Sequence, residues 1–555
     1  MPSTPSILEL QAFPILSASQ TAQLLPFGSL KTTYEGETLF EPGDPNYCLV
    51  VVLEGKTAVI DRSNGNRVLR TSRVGDFNGE LGLLTGQRTF TACVVRESGK
   101  VLMIPQIRVH DIIENIPELS VLLVTAFAAR RQLLMQIGLG SLTIVGSDQN
   151  SKTSRLIEFS DRNRIPFRWL NPDDPADATS LANCWFFGRQ SFGIVLGGRQ
   201  AIEEATPLDI ARAVGLDLDI RPLTASDLVV VGAGPAGLAA AVFGASEGLS
   251  TVVIEDTAIG GQAGTSSCIE NYVGFPAGIS GADLAFRAEV QATKFGARMT
   301  IPRRACSLEV RDHEYAVHLE EGDFFLARSI VIATGARYRK LSLAGQAVFE
   351  GKGIYYAADE FEARRCRNET AVVVGGGNSA GQAAMFLSGH ARQVHILCRG
   401  PDLAASMSEY LLTRLKHASN VTIELRSEVT KVGGDSFLRR VTIANRATGE
   451  SRDVDVCGLF VMIGADPCTE WLRGAVQLDE KGFVRTTFEA PPAPSSMSGG
   501  ALRSPLSFRT DLPGVFAVGD VRSGSVKRVA SAVGEGSVVI QAVHRYLASA
   551  NSTTN

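Results

Sequence analysis

The sequence predicts a multidomain α/β protein, chiefly because two glycine-rich turns lie far apart in one chain. The first turn runs from Gly232 to Gly237 and the second from Gly375 to Ala380, about 140 residues later. Each follows an apolar strand-like run and opens a helix-like stretch, as in parallel sheets that bind dinucleotides. Strand-like and helix-like segments alternate from Asp227 onward, which is typical of doubly wound sheets. Two such sites in one polypeptide favour an electron-transfer enzyme that brings a flavin and a nicotinamide together.

The composition is that of an ordinary globular protein. The 555 residues allow roughly three to four domains, each with its own core. With 45% hydrophobic residues, 20% charged residues and a net charge of −4, the chain lacks the electrostatic footprint of a protein that binds nucleic acid or an anionic membrane. We therefore expect neither as a partner.

Cysteine usage and the absence of recognisable targeting segments predict a cytoplasmic protein. The nine cysteines lack the even spacing of a secreted disulfide framework. The longest uncharged apolar run, residues 228–246, contains Pro235 and several glycines that divide it into strand, turn and helix, so we do not expect a membrane span. Residues 1–19 carry no basic start before an apolar stretch, so we expect no signal peptide.

Residues 1–138 are predicted to form a β-rich first domain. Turn signals such as Glu41-Pro42-Gly43-Asp44 separate short strand-like runs, and an apolar helix is expected at about 119–136. The predicted strands are Tyr47–Leu53, Thr57–Asp61, Arg67–Arg70, Phe90–Val95 and Lys100–Ile104.

Residues 139–222 are predicted to form a small α/β unit. Strands are expected at Leu142–Val145 and Gly193–Leu196, and helices at Ser154–Asn163 and Pro207–Val214. Far beyond this unit, residues 490–505 are rich in Pro, Ser and Gly, which predicts a surface insertion.

The first glycine-rich turn has the spacing of a dinucleotide fingerprint. Gly232 permits a tight bend, Gly234 lets the backbone approach a pyrophosphate, and Gly237 allows the helix to pack closely on the strand. The amides at the start of the helix then face the phosphates. Glu255 ends the next strand, Thr251–Ile254, where a carboxylate can accept hydrogen bonds from ribose hydroxyls.

The second turn predicts a nicotinamide dinucleotide site. Gly375, Gly377 and Ala380 occupy its fingerprint positions, and its second strand, Val394–Leu397, is followed by Arg399 rather than by an acid. Because an arginine can pair with a ribose 2′-phosphate that an acid would repel, we expect NADPH in preference to NADH. The alternative is that Arg399 is an ordinary solvated surface residue.

Residues 226–548 resemble the thioredoxin-reductase-like flavoproteins, the class II pyridine nucleotide-disulfide oxidoreductases. The motifs that carry the resemblance are Gly260-Gly261-Gln262 with 269–276 (IENYVGFP), similar to the flavin-contacting segment of the family; 330–336 (IVIATGA), similar to its chain-crossing motif; 513–520 (PGVFAVGD), similar to its late FAD motif; and Lys527-Arg528-Val529, where members touch the flavin ring.

The resemblance implies two Rossmann-like domains, one inserted into the other. The FAD-binding domain would comprise residues 226–340 and 455–548, and the NAD(P)H-binding domain residues 341–454, with hinges near 340 and 454. The family also suggests a homodimer. The implied FAD contacts are Gly232, Gly234, Pro235, Ala236, Gly237, Glu255, Gly261, Gln262, Asn271, Thr334, Gly335, Gly519, Asp520, Lys527, Arg528 and Val529, and the NADPH contacts are Gly375, Gly377, Asn378, Ser379, Ala380 and Arg399.

The chain departs from the family in two places. Members that reduce thioredoxin carry a CxxC pair before the second turn, whereas residues 355–361 (YYAADEF) contain no cysteine, and no two cysteines in the chain have CxxC spacing. Gly400 also stands where the family has a second arginine for the 2′-phosphate. Cys366 and Cys268 are the solitary thiols nearest to these motifs, and we expect them to be small buried hydrophobes. The sequence assigns no catalytic residue and no metal site.

Residues 20–135 resemble the cyclic-nucleotide-binding β-roll. Residues 75–88 (GDFNGELGLLTGQR) look like its phosphate cassette, in which Glu80 would take the ribose hydroxyl and Arg88 the cyclic phosphate. The loop between them is short, so the alternative is a packing or dimerisation module.

Residues 141–221 weakly resemble a thioredoxin fold. Ser147 to Ser151 stand where that fold has its active cysteine, and Phe192-Gly193 stand where its proline would precede the third strand. We therefore expect a redox-silent spacer or docking remnant.

Three functions remain open on the sequence. The first is a flavoenzyme that passes electrons from NAD(P)H through FAD to an acceptor that needs no intrachain disulfide, such as a small redox protein, a quinone, dioxygen or an oxidised small molecule. The second is reduction of thioredoxin or a small disulfide with a cysteine supplied from elsewhere. The third is a nucleotide-responsive regulator without turnover.

Overall fold

The structure is a computed structural model of the chain. It describes residues 6–552 apart from 63–64, 138–141, 148–149, 178–180, 182–191, 198–199, 218–224, 267–268, 270–271, 313, 357, 359–362, 364, 405, 436 and 487–507. Asn271, Cys268 and the predicted insertion at 490–505 therefore lie outside the described residues.

An antiparallel β-roll forms the first part of the chain. Its strands follow the order β1-β6-β3-β4, with β2 added to β6 and β5 added to β3. The elements are α1 (Ile7–Ala12), α2 (Ala18–Leu24), a 3₁₀ turn (Leu25–Phe27), β1 (Ser29–Thr33), β2 (Thr38–Phe40), β3 (Leu49–Asp61), β4 (Arg67–Ser72), β5 (Phe77–Asn78), α3 (Gly82–Thr85), β6 (Ala92–Ile104), α4 (Gln106–Asn115) and α5 (Pro117–Ile137).

Two pairs of strands that the sequence separates are continuous. Predicted runs 47–53 and 57–61 merge into β3, and predicted runs 90–95 and 100–104 merge into β6. The glycines between them, Gly55 and Gly99, sit where the β3–β6 register shifts, and the backbone of Gly55 has a φ of +81°. The glycines therefore form bulges within long strands, where the sequence suggests chain reversals.

The small α/β unit has the predicted elements on a four-stranded sheet. The strand order is β10-β9-β7-β8, with β7 and β8 parallel and the other pairs antiparallel. The elements are β7 (Leu142–Val145), α6 (Ser151–Arg162), β8 (Phe167–Leu170), a 3₁₀ turn (Pro175–Asp177), β9 (Gly193–Leu196), β10 (Gln200–Glu203) and α7 (Pro207–Val214).

The first dinucleotide sheet is parallel around its central strands and closes with an antiparallel hairpin. Its order is β13-β12-β11-β16-β15-β14, and a strand from late in the chain, β27, pairs with β16. The elements before the chain leaves for the second sheet are β11 (Ser226–Val231), α8 (Pro235–Ser246), β12 (Thr251–Ile254), a 3₁₀ turn (Ala263–Thr265), α9 (Gly281–Lys294), β13 (Arg298–Thr300), β14 (Ala305–Arg311), β15 (Glu314–Leu319), β16 (Phe324–Ile332) and β17 (Ala336–Tyr338).

The second dinucleotide sheet is wholly parallel, with the order β18-β25-β19-β20-β21, and a three-stranded antiparallel sheet, β22-β23-β24, lies beside it. The elements are α10 (Gln346–Phe349), β18 (Ile354–Tyr355), β19 (Thr370–Val374), α11 (Asn378–Ser388), β20 (Gln393–Cys398), α12 (Glu409–His417), β21 (Val421–Leu425), β22 (Ser427–Gly434), β23 (Leu438–Asn445), β24 (Ser451–Asp455) and β25 (Gly458–Val461).

The chain returns to the first sheet later than the sequence suggests. Strand β25 pairs in parallel with β19, so residues 458–461 complete the second sheet although the sequence ends that domain at 454. The crossing consists of β17 paired antiparallel with β26 (Ala465–Pro467). A 3₁₀ turn (Glu470–Leu472), β27 (Val515–Ala517), a second 3₁₀ turn (Gly519–Val521) and α13 (Val529–Ser552) then finish the first sheet's layers.

The β-roll and the first dinucleotide sheet share a core. Phe286 and Val290 of α9 are buried in the same apolar cluster as Leu83, Leu84 and Phe127 of the β-roll. The β-roll therefore packs as an integral part of the molecule, because its apolar interior is completed by a helix from another unit.

A buried arginine of the β-roll lies at this junction, where its Nη1 donates to the main-chain carbonyl of Arg164 at 3.5 Å. Arg131, on α5, is 2% exposed and pairs with Glu80 at 3.0 Å, while its Nη1 donates to Gln87 at 2.8 Å. Across the same junction, Arg164 pairs with Asp283 in the first turn of α9. Since a buried charge needs its partner, this junction is sensitive to the loss of a single side chain. No helix within the described residues has the length and apolar character needed to cross a membrane.

Replacing Arg131 by Met is expected to lower the free energy of unfolding of the β-roll by about 3–5 kcal/mol, because the Glu80 carboxylate would be left buried without its cation. Calorimetric unfolding of the full chain measures the change. The control is Lys100→Met, which removes the exposed ion pair with Glu54 and is expected to cost at most about 1 kcal/mol. Equal effects of the two substitutions would contradict the expectation.

Candidate dinucleotide-binding sites

The first turn has the close backbone packing that its glycines predict. Gly232 has a φ of +107°, and a side chain on it would overlap the carbonyl of Ala333. A side chain on Gly237 would overlap the carbonyl oxygen of Gly232 itself. By contrast, no described atom lies within 4 Å of the place where a Cβ on Gly234 would stand. The turn is therefore closed on the protein side and open at Gly234, where a ligand can approach.

Glu255 lies directly against this turn. Its carboxylate is 7% exposed; Oε2 accepts from the Ala233 amide at 2.7 Å, and Oε1 accepts from Thr257 and Ala258 at 3.0 and 3.2 Å. Burial, and secondarily the negative charge of Asp256, raise the pKa of Glu255 to about 7. The carboxylate is thus fixed beside the opening at Gly234, with lone pairs left for further donors.

The segment that resembles a flavin contact is folded onto the same turn. Gly260 donates its amide to the Ala233 carbonyl at 2.8 Å, and a Cβ on Gly261 would stand 3.1 Å from the Cα of Gly234. The side-chain amide of Gln262 donates to the carbonyl of Ala336. These contacts bring the segment to the mouth of the first turn and to the start of the crossing.

The chain-crossing motif lies at the carboxyl end of β16. Thr334 donates its hydroxyl to the Cys468 carbonyl at 2.7 Å, and the Cys468 amide donates to Gly335 at 3.0 Å. Gly335 has a φ of +70°, which a side chain would strain. The motif therefore connects the end of β16, in the first sheet, to the residue that follows β26, where the chain returns to that sheet.

The late motif borders the first turn from the other side. A Cβ on Gly519 would stand 2.9 Å from the Cβ of Ala236, and the Gly519 amide donates to Glu535 at 2.7 Å. Burial raises the pKa of the Asp520 carboxyl. The exposed Lys527 donates to the Asp520 main-chain carbonyl at 3.2 Å, and Arg528 is exposed beside it, ahead of Val529 at the start of α13.

The first site fits FAD on the geometry of the protein alone. The open space at Gly234, the fixed carboxylate of Glu255 and the amino end of α8 at Pro235 and Ala236 form one cradle for a ribose and a pyrophosphate.

The second turn repeats this arrangement at the carboxyl end of β19. A side chain on Gly375 would overlap the Met462 carbonyl, Gly377 caps α11, and Ala380 is buried against the strand. The side chain of Asn378 accepts the Ser408 amide at 2.8 Å, and Ser379 is exposed. The loop after β20 thus closes over the turn.

Arg399 lies at the end of β20 and is exposed. Its neighbour Cys398 is buried behind Gly376, 3.0 Å from where a Cβ on that glycine would stand. Arg399 is therefore exposed at the end of the strand that neighbours the second turn.

Two tyrosines occupy the region between the sites, which sequence reasoning overlooked. The rings of Tyr338, on β17, and Tyr356 are stacked, with centroids 5.7 Å apart and planes 12° from parallel. Tyr356 donates to Glu350 at 2.9 Å, and burial followed by the charge of Asp520 raises the pKa of Tyr338 to about 12. The only sequence signal was the aromatic pair Tyr355-Tyr356 in the stretch that lacks CxxC.

The prediction that Cys366 is solitary is wrong. Cys366 is joined to Cys457 by a disulfide, with Cα atoms 5.2 Å apart and a sequence separation of 91. The parallel pairing of β19 with β25 places residue 457 beside the start of β19, and no local spacing could indicate that neighbour.

The two cassette residues of the β-roll have different partners. Glu80 is held by Arg131, whereas Arg88 donates to the Gly43 carbonyl at 3.1 Å and lines a cavity of about 520 Å³ between the β-roll and the small α/β unit. The Arg88 amide donates to Val214 across that boundary. Among the described residues, no group of three or more His, Cys, Asp or Glu side chains is arranged to hold a metal ion.

The contrast between Gly234 and Gly237 gives a paired prediction. Gly234→Ala should leave the thermal midpoint of the apoprotein unchanged and weaken FAD roughly tenfold or more, because the methyl group would enter only the ligand's space. Gly237→Ala should lower the midpoint, since overpacking costs about 1–3 kcal/mol or more. Thermal unfolding and quenching of FAD fluorescence measure both. A destabilised Gly234→Ala apoprotein would refute the interpretation of the opening.

Comparison with known proteins agrees with this geometry. Residues 226–536 match the pyridine nucleotide-disulphide oxidoreductase model, and residues 30–115 match the cyclic nucleotide-binding domain. A thioredoxin reductase from Mycolicibacterium smegmatis is 33% identical over 332 residues, covering 59% of this chain and 97% of that protein. A protein of Clostridium pasteurianum described as a 34.2 kDa protein in rubredoxin operon is 31% identical over 321 residues, covering 58% and 97%.

The fold agrees as well. The crystal structure of thioredoxin reductase from Streptococcus pyogenes MGAS5005 superimposes with a TM-score of 0.52 at 29% identity, covering 58% of this chain and 98% of that chain. The multidomain α/β architecture with an N-terminal β-roll is thereby confirmed. Because the family model matches more than half of its residues, the chain belongs to the pyridine nucleotide-disulphide oxidoreductases, an NAD(P)H-dependent, FAD-containing family, and carries a cyclic nucleotide-binding domain at its front.

Proposed function

We propose that the protein is an FAD enzyme that takes a hydride from NADPH and passes electrons to an acceptor that needs no intrachain CxxC. One combination of features carries the proposal. Both glycine turns keep the geometry of dinucleotide sites, while the stretch that would hold CxxC instead begins with Tyr355 and Tyr356. Intact nucleotide sites without the family's dithiol favour the same reductive half-reaction with a different electron acceptor.

The residues of the first site would bind and orient FAD. The amides at the start of α8 would face its pyrophosphate, and Glu255 would accept the ribose hydroxyls. Asp520 would hold the ribityl chain, and Lys527 and Arg528 would lie toward the ring, as the family resemblance implies. When bound, the nicotinamide and the flavin would supply the hydride-transfer chemistry, and the residues named here would hold them.

Residues of the second site would hold the reductant, NADPH, in position. The turn at Gly375 to Ala380 would hold the pyrophosphate of NADPH, and Arg399 would pair with its 2′-phosphate. The crossing strands β17 and β26 would act as the hinge by which the second sheet moves, and the stacked Tyr338 and Tyr356 would part when it does.

The acceptor is proposed to be a small redox protein, a quinone, dioxygen or an oxidised small molecule. Reduction of thioredoxin or a small disulfide through an external thiol is the alternative, supported by the thioredoxin reductases among the relatives. A cyclic nucleotide at the β-roll is a further proposal, supported by the match at residues 30–115 and opposed by the engagement of Glu80 with Arg131. We also propose a homodimer, which sedimentation of the purified protein tests.

Stopped-flow mixing of the FAD-loaded protein with NADPH, followed by an acceptor panel, tests the proposed function. The expected result is bleaching of the flavin absorbance and its return with one class of acceptor. Bound FAD that NADPH and NADH leave unbleached would overturn the proposal in favour of a regulator without turnover. Reoxidation by thioredoxin alone would favour the alternative.

Arg399→Ala is expected to raise the KM for NADPH by roughly 10–100-fold and to leave the KM for NADH unchanged, because a charge-assisted hydrogen bond contributes about 1.5–3 kcal/mol. Steady-state kinetics with both nucleotides measure the ratio. The matched control is Arg392→Ala, an exposed arginine that precedes β20 at the opposite end of the strand, which should change neither value. Equal losses for NADPH and NADH would contradict the assignment of Arg399.

FAD affinity should depend on pH through Glu255. With a pKa of about 7 the carboxyl gains a proton as the pH falls, and the neutral acid is a weaker acceptor for the ribose hydroxyls. Between pH 8 and pH 6 the Kd for FAD should rise by up to about tenfold. Glu255→Gln should bind FAD more weakly at pH 8 and show no such rise. A flat profile in the unsubstituted protein would remove Glu255 from the site.

A further inference from the structure

The disulfide between Cys366 and Cys457 lies at the amino edge of the second sheet. Cys457 precedes β25 and donates its amide to Thr370, the first residue of β19, at 2.9 Å. Its Sγ lies 3.2 Å from the Thr370 carbonyl oxygen. The bond therefore joins the segment that precedes β19 to the segment that precedes β25, the last of these strands in chain order.

This position places the disulfide far from the second glycine-rich turn, which would bind the nicotinamide dinucleotide. The glycine turn at Gly375 follows the opposite end of β19, and a five-residue strand spans about 16 Å. The pair therefore cannot stand in for the family's CxxC in the observed arrangement, because the reactive face of the sheet is its carboxyl edge.

The two sulfurs differ in access. Cys366 is 0% exposed and packs in the apolar core with Ala363 and Phe460, whereas Cys457 is only partly buried at the border of that core. Cys457 is therefore the more accessible sulfur of the pair for an incoming thiolate.

We propose that Cys366 and Cys457 are a thiol–disulfide exchange site, whose substrate is a small or protein dithiol that attacks Cys457. The site is separate from the FAD and NADPH sites and does not rest on the proposed function. Its two states differ in one covalent cross-link that closes a loop containing strands β19 to β24.

The exchange balances as a two-electron reduction. A thiolate of the dithiol attacks Cys457 Sγ, a mixed disulfide forms, and the bond to Cys366 breaks, so that Cys366 leaves as a thiolate and takes up a proton. The second thiol of the reductant then attacks the reductant's other sulfur atom, the one bonded to Cys457 in the mixed disulfide. This step releases Cys457, which takes up a proton, and the reductant leaves as a cyclic or protein disulfide. The cysteine pair is reduced and the dithiol oxidised.

Opening the cross-link should loosen the second unit. In the chain-entropy account, a long closed loop restricts the unfolded chain strongly, so its loss favours unfolding of the enclosed strands. Reduction is therefore expected to lower the thermal midpoint of this unit and to speed its proteolysis.

The full-length protein tests the site in buffers of oxidised and reduced dithiothreitol. After native incubation the exchange is quenched with acid, the protein is denatured, free thiols are alkylated, and each cysteine peptide is quantified by mass spectrometry. We expect Cys366 and Cys457 to be unlabelled in the oxidised buffer and to gain label together, with one midpoint, as the buffer becomes reducing. Cys306, an exposed free thiol, is the internal control and should be labelled throughout.

Single substitutions test the direction of attack. In Cys366→Ser the partly buried Cys457 should form a mixed disulfide with 5,5′-dithiobis(2-nitrobenzoate) at least roughly tenfold faster than the buried Cys366 does in Cys457→Ser. Peptide mapping separates these adducts from those of the other cysteines. If either variant fails to fold, the titration of the unsubstituted protein still decides whether the exchange site exists.

Three results would overturn the proposal. Labelling of both cysteines in the oxidised buffer would mean that they are only packed thiols. A disulfide that dithiothreitol opens only in denaturant would make it purely structural. Equal or faster reaction at Cys366 would reverse the assigned direction. None of these measurements needs FAD or NADPH, so failure here leaves the test of flavin reduction independent.

Discussion

Three main-chain amides converge on the carboxylate of Glu255, and the first dinucleotide site depends on that convergence. Ala233 donates from the glycine turn, while Thr257 and Ala258 donate from the loop after β12. A buried carboxylate is tolerated only with such donors, so the turn and the loop must keep their positions. The opening at Gly234 follows from the same restraint, because the protein is packed tightly on every other side of the turn.

Helix α9 connects this site to the front of the chain. Its Ala285 lies against Gly260, 2.6 Å from where a Cβ on that glycine would stand, while the next residue, Phe286, is buried in the β-roll core. Asp283 in its first turn holds Arg164 of the small α/β unit. One helix thus touches the segment at Gly260 and both front units, which explains why the β-roll is packed as an integral part of the molecule.

Local patterns predicted the parts of the molecule whose partners are close in sequence. The glycine turns and Glu255 fall within single strand–turn–helix units, so their spacing was enough. Contacts across long separations left no such signal: Cys457 beside Cys366, Tyr338 on Tyr356, and Arg131 on Glu80 all depend on how whole strands and helices are arranged. The assignment of β25 was missed for the same reason, since its apolar residues suit either parallel sheet.

The first sheet takes one of its strands from near the end of the chain. Strand β27 pairs with β16 almost two hundred residues after it, and α13 then covers α8. During synthesis on the ribosome, the flank of β16 therefore stays unpaired while the whole second sheet emerges. The inserted unit can fold in that interval, while the first dinucleotide sheet keeps apolar surface exposed, and such surface makes a growing chain prone to aggregate.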